Sequence, residues 1–97
     1  MIIQLKKFGT TLISRQSGRE AYAAFLPSLK NISPDENIEI DFAGVNTFSP
    51  SWADEFLTPL AKEYKAKLRL KKSDNLSVIS TIKLLGRING DKYVIIG

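Results

Sequence analysis

The stretch Ile38–Leu60, IEIDFAGVNTFSPSWADEFLTPL, decides how the chain is read. Ile38, Ile40 and Phe42 alternate with Glu39 and Asp41. That period of two belongs to a strand with one buried face. Ala43, Gly44 and Val45 extend it with small residues that permit close approach. Ser49-Pro50-Ser51 then opens a helix, because a serine caps the free amides and proline suits the first helical position. Trp52, Ala53, Phe56, Leu57, Leu60 and Tyr64 supply that helix with an apolar side. Pro59 predicts a kink within it.

Upstream, Met1–Phe8 reads as a short strand whose Lys6 and Lys7 blunt a sheet edge. Thr10–Ile13 continues it or forms a second strand after Gly9. Ser17-Gly18-Arg19-Glu20 has the form of a capping box, and Tyr22, Phe25, Leu26 and Leu29 follow at helical spacing. Pro27 predicts a kink or an early end. Residues 31–37, NISPDEN, form a turn-rich loop.

Downstream, Leu68 and Leu70 alternate with Lys67, Arg69 and Lys71 as a strand, and Ser73-Asp74-Asn75 offers a turn and a cap. Val78, Ile79, Ile82 and Leu85 mark a third helix, with Gly86 expected to end it. Residues 87–92 carry an Asn89-Gly90 turn, and Tyr93–Ile96 is an apolar final strand. Alternation of strands and helices predicts a single α/β domain over residues 1–97, with four or five mostly parallel strands in a mixed sheet and three helices.

Composition narrows the chemistry. The chain has 97 residues, no cysteine and no histidine, so disulfides and thiol catalysis are excluded and the usual zinc ligands are missing. No cofactor is expected. No apolar run approaches the ~20 residues that span a membrane. The N-terminal apolar residues precede the lysines, the reverse of a secretory signal, so a cytoplasmic location is expected. Asp41, Asp54 and Glu55 are the carboxylates nearest the central turn. No nucleophile, phosphate loop or metal set accompanies them in the chain, so an enzyme is not expected. Asp54 and Glu55 are read as first-turn acids that favour the helix dipole. Arg15 and Arg19 read as a solvated or salt-bridged pair.

The residues Ile40-Asp41-Phe42-Ala43-Gly44-Val45 and Phe48-Ser49-Pro50-Ser51-Trp52-Ala53-Asp54-Glu55-Phe56, with Leu12-Ile13-Ser14-Arg15 and Gly18-Arg19 before them, resemble the STAS family of bacterial anti-sigma factor antagonists. The likeness is stronger to the STAS-like group of the DUF4325 type, and it covers about Phe8–Leu60. It implies a STAS-like mixed sheet and a non-enzymatic regulatory domain that binds a protein, either an anti-sigma-like or a histidine-kinase-type ATPase. In the antagonists a kinase phosphorylates a serine at the start of the helix after this strand. Ser51 stands at the matching position and is the candidate phospho-switch. The candidate partner surface is Asn46, Thr47, Ser49, Trp52, Asp54 and Glu55. The antagonists follow the serine with glycine, whereas Trp52 here is expected to set a ring in a kinase's way. A competing reading uses the basic stretch 62–72, with Lys62, Lys65, Lys67, Arg69, Lys71 and Lys72, as a nucleic-acid surface.

Overall fold

A computed structural model describes residues 1–90 and 92–97. Its strands are β1 (Ile2–Gln4), β2 (Thr11–Leu12), β3 (Ile38–Asp41), β4 (Thr47–Phe48), β5 (Leu68–Lys71) and β6 (Val94–Ile96). Its helices are α1 (Arg15–Leu29), α2 (Pro50–Tyr64) and α3 (Leu76–Asn89). The fold is the expected α/β architecture with three helices and a four-stranded sheet ordered β1-β3-β5-β6. Every pairing among the described strands is parallel. β2 and β4 form a separate two-stranded sheet, with Leu12 opposite Phe48.

One face of the main sheet holds the core. Ile3, Ile40 and Leu70 lie side by side across β1, β3 and β5 and are fully buried. The opposite face carries Ile2, Glu39, Arg69 and Val94 in one row. None of these four is buried, so the helices crowd the other side. Successive parallel neighbours joined by right-handed crossovers place all connecting helices on one face. Aromatic rings fill the space between sheet and helices. Trp52 stacks on Phe56 at 5.0 Å, and Phe8, Phe25 and Phe48 pack against one or both.

Several local expectations change. Ser14, not Ser17, caps α1: its hydroxyl accepts from the Ser17 amide at 3.0 Å. Ser17 therefore lies inside the helix, and Glu20 accepts from the Gln16 side chain instead of closing a capping box. Lys6 and Lys7 lie in a 3₁₀ turn after β1, not on its edge. β3 ends at Asp41, whose carboxylate accepts from the Ala43 amide and turns the chain. Ala43–Val45 thus leave the strand. α1 ends two residues beyond Pro27, whereas α2 runs through Pro59 to Tyr64. Gly86 is within α3, which continues to Asn89 and ends at Gly90 in the left-handed region with φ 68°. That conformation is one glycine adopts at low cost. The turn read over residues 87–92 includes Asp91, which lies outside the described residues.

Candidate functional site

The β3–α2 connection sits at the carboxyl end of the main sheet, the usual place for contacts in parallel α/β folds. Its geometry is set by three neighbouring segments. The Asn46 and Thr47 amides both donate to the Thr10 carbonyl, and the Ser49 amide donates to Leu12 O at 3.0 Å. Ser49 then works in two directions. Its hydroxyl donates to the Ile13 carbonyl at 2.8 Å and accepts from the Trp52 amide at 3.3 Å. It both caps α2 and ties it to the segment between β2 and α1, as the chain's spacing predicts for the cap alone.

The third segment is the start of α3. Asn75 caps that helix through its side-chain oxygen, which accepts from the Ser77 and Val78 amides. Its side-chain nitrogen donates to the carbonyls of Val45 and Asn46, each at 3.0 Å. Ser77 accepts from the Phe48 amide, and Thr81 donates to the Phe48 carbonyl. One asparagine therefore fixes both a helix terminus and the central turn. Sequence reasoning placed Asn75 in a capping turn but had no signal for its second role, because the partners lie about thirty residues earlier in the chain.

The residues proposed for a partner surface separate into exposed and buried sets. Asn46 and Thr47 are exposed, and Ser49 and Ser51 are half-buried. Trp52 is fully buried, so it offers no ring to a partner. Burial also corrects the expected obstruction of Ser51, since the indole turns inward and stacks on Phe56. Trp52 Nε1 has no hydrogen-bond partner among the described residues. The α1 residue beside Trp52 is Gly18, where an added Cβ would lie 2.5 Å from the Trp52 carbonyl oxygen. Only a residue without a side chain lets the two helices approach so closely.

Asp54 and Glu55 lie beyond the first turn of α2 and face α1. Arg15 donates to Asp54 at 3.0 Å and to Glu55 at 3.3 Å, and Arg19 donates to Glu55 at 3.3 Å. Their partner is thus the α1 arginine pair, not the helix dipole. The Arg15 guanidinium, followed by the Thr58 hydroxyl, holds the Asp54 carboxyl below its ordinary range against an opposing effect of burial. The Arg15 pKa is raised by hydrogen bonds to Asp54 and then Glu55.

Beside the turn, a cleft of about 530 Å³ opens between the ends of β3 and β5. Asp41, Gly44, Lys72, Ser73, Asp74 and Asn75 line it. Its mixture of both charge signs supplies no matched set for a metal, and no metal-holding group occurs among the described residues. The basic stretch 62–72 is divided between surfaces. Lys62 is on α2, Lys65 and Lys67 are in the following 3₁₀ turn, and Arg69 is in the uncovered sheet row beside Glu39. Lys67 also donates to the Pro34 carbonyl.

The family model for the STAS-like domain of unknown function (DUF4325) matches residues 17–77, more than half of the chain. This chain belongs to the DUF4325 STAS-like family. The matched region begins after the Leu12–Arg15 segment of the expected resemblance and runs past Leu60, so the STAS-like domain includes the Asn75 and Ser77 clamp. No curated protein and no solved structure matches the chain. No helix among the described residues is long and apolar enough to cross a membrane.

Proposed function

We propose that this STAS-like domain is a non-enzymatic regulatory module that binds a protein partner through the Val45–Glu55 turn, with the Ser51 hydroxyl as its switch. The observation that carries the reading is the difference in exposure between two consecutive residues. Trp52 is wholly buried, whereas Ser51, at the second position of α2, keeps access to solvent. The surrounding backbone is already immobilised by Ser49 and Asn75, so a partner would meet a preorganised surface at low ordering cost. Asn46 and Thr47 give that surface exposed polar groups.

A phosphate on Ser51 would add ~1.5–2 negative charges at a helix N-terminus that favours them. It would also share a helix face with Asp54 and Glu55, three and four residues on. Competition for Arg15 and Arg19 would then couple modification to the α1–α2 ion pairs. The partner class that fits the family resemblance is an anti-sigma-like or histidine-kinase-type ATPase.

The test is incubation of the intact chain with such an ATPase and ATP, followed by mass spectrometry and a binding measurement. Phosphate is expected on Ser51 and absent in Ser51→Ala. Ser51→Asp is expected to weaken the complex at least tenfold, and Asn46→Arg to weaken it without changing the fold. An unmodified Ser51 together with unchanged binding by Ser51→Asp would remove the switch. Unchanged binding by Asn46→Arg would remove this surface.

A further inference from the structure

The buried row Ile3–Ile40–Leu70 continues in register onto β6 at Ile95. The first three are fully buried, but Ile95 is 50% exposed. α3 therefore covers β5 and stops short of β6. Two adjoining hollows of about 240 and 540 Å³ lie between α3 and β6, sharing Ile82, Lys83 and Ile95. Val78, Ile79 and Ile82 form the apolar wall on the helix side.

The backbone beside this hollow is also unpaired. The Lys72 amide donates to Ile96 O at 2.8 Å, so the polar groups of Ile96 point towards β5. In a parallel ladder successive residues alternate direction, which turns the amide and carbonyl of Ile95 outward. No described strand pairs with that side of β6.

Charge identifies the occupant. Lys71, Lys72, Lys83 and Arg87 rim the two hollows, and no carboxylate among the described residues lines either. A second copy joined edge to edge would bring two such rims together on chains that each carry +4, which opposes self-pairing. We propose that the β6 edge and the groove under α3 bind an extended, acidic peptide strand of a protein partner, whose groove-facing side chains, every second residue, are apolar in the middle and carboxylates at the two ends. The strand would add to the sheet through Ile95, set its central groove-facing apolar side chains against Ile82 and Ile95, and present the flanking carboxylates of that same face to Lys72, Lys83 and Arg87. Main-chain bonds would supply affinity, and the alternating side chains specificity. This surface is independent of the Val45–Glu55 turn.

The probe is a capped seven-residue peptide, Glu-Thr-Val-Thr-Val-Thr-Glu, whose valines and glutamates share one face of a strand, titrated into the isotopically labelled intact chain and followed by amide resonances. Shifts at Ile82 and Ile95, with slowed hydrogen exchange of the Ile95 amide, are expected. A Lys83→Glu, Arg87→Glu double variant, altered only at exposed positions, is expected to bind at least tenfold more weakly with its other resonances unchanged. A peptide methylated on alternate backbone nitrogens is expected to lose binding. Equal binding of the same peptide with lysine in place of glutamate, shifts confined to another surface, or no shift at millimolar peptide would overturn the proposal. So would concentration-dependent dimerisation that protects Ile95, or saturation of the groove by sodium oleate but not by the peptide.

Discussion

Adding a single methyl group at Gly18 tests the packing that organises the site. In an exposed helix, Gly→Ala stabilises by about 1 kcal/mol, because alanine loses less backbone freedom. At Gly18 the new Cβ would lie 2.5 Å from Trp52 O, 3.0 Å from its Cα and 3.1 Å from its carbonyl carbon. All three are backbone atoms within α2, so no side chain can rotate away. Ordinary contact begins at 3.4 Å, and restoring it separates α1 from α2 by roughly 1 Å in an interior packed like a crystal. That separation disturbs the Trp52–Phe56 stack and the Arg15–Asp54 bond. Overpacking costs about 1–3 kcal/mol, and more where backbone must move. Because the clash is with backbone, the upper part of that range applies, about 2–3 kcal/mol, and subtracting the propensity gain of about 1 kcal/mol leaves a net destabilisation for Gly18→Ala of about 1–2 kcal/mol. For a domain of this size it lowers the melting temperature by roughly 4–16 °C. Thermal and urea unfolding followed by circular dichroism measure it. A melting temperature that rises by several degrees, as helix propensity alone demands, would refute the close approach of the two helices.

Three other substitutions probe distinct parts of the same arrangement. Trp52→Ala removes a fully buried ring and is expected to cost about 3–5 kcal/mol in urea unfolding. Trp52→Phe costs clearly less, because the indole nitrogen it deletes has no partner among the described residues; equal losses for the two variants would contradict this. Asn75→Asp keeps the oxygen that caps α3 but loses the donor to Val45 and Asn46. It should leave α3 helical and speed hydrogen exchange in the central turn, whereas an unchanged exchange pattern would exclude the clamp. Asp54 has a depressed carboxyl pKa, caused first by Arg15 and then by Thr58. Its contribution is present above the unfolded value of about 4 and is lost as pH falls through the lower folded value. The stability gap between the natural chain and Asp54→Asn is therefore expected at pH 7 and should close on acidification below about pH 4. A gap independent of pH would show that the ionised carboxylate does not matter.

The elements that are legible in the chain are those with local causes. The Ile38–Phe42 alternation and the Ser49–Pro50 start each announce themselves within a few residues, and the structure places β3 and α2 there. The capping serine of α1 is ambiguous, because Ser14 and Ser17 carry the same hydroxyl one helical turn apart. Tertiary contact decides between them. With Ser14 as the cap, Gly18 is buried against Trp52, and the apolar residues of α1 turn inward. β4 has only two residues and exists through its pairing with β2, so no periodicity could reveal it. The candidate site divides in the same way. Ser49 is readable as a cap, but its bond to Ile13, the Asn75 clamp and the ion pairs of Asp54 and Glu55 join distant segments. Only the fold brings these partners together.

Trp52 also gives a physical reason why its neighbour differs from it in exposure. Consecutive residues on an α-helix are about 100° apart around the axis. Once Trp52 is driven under Gly18 and against Phe56, the rotation of α2 is set. Ser51 must then turn towards the flank, and Asp54 and Glu55 must turn towards Arg15 and Arg19. A glycine in the same place would bury almost nothing and leave the angle of the helix to weaker contacts. The bulky residue after the serine is therefore compatible with an accessible hydroxyl because it is inside. The prediction for Gly18→Ala extends to the surface for that reason. Displacing Trp52 by roughly 1 Å must alter the presentation of Ser51 and the α1–α2 ion pairs together, so stability and the partner binding proposed for this surface should fail in the same variant.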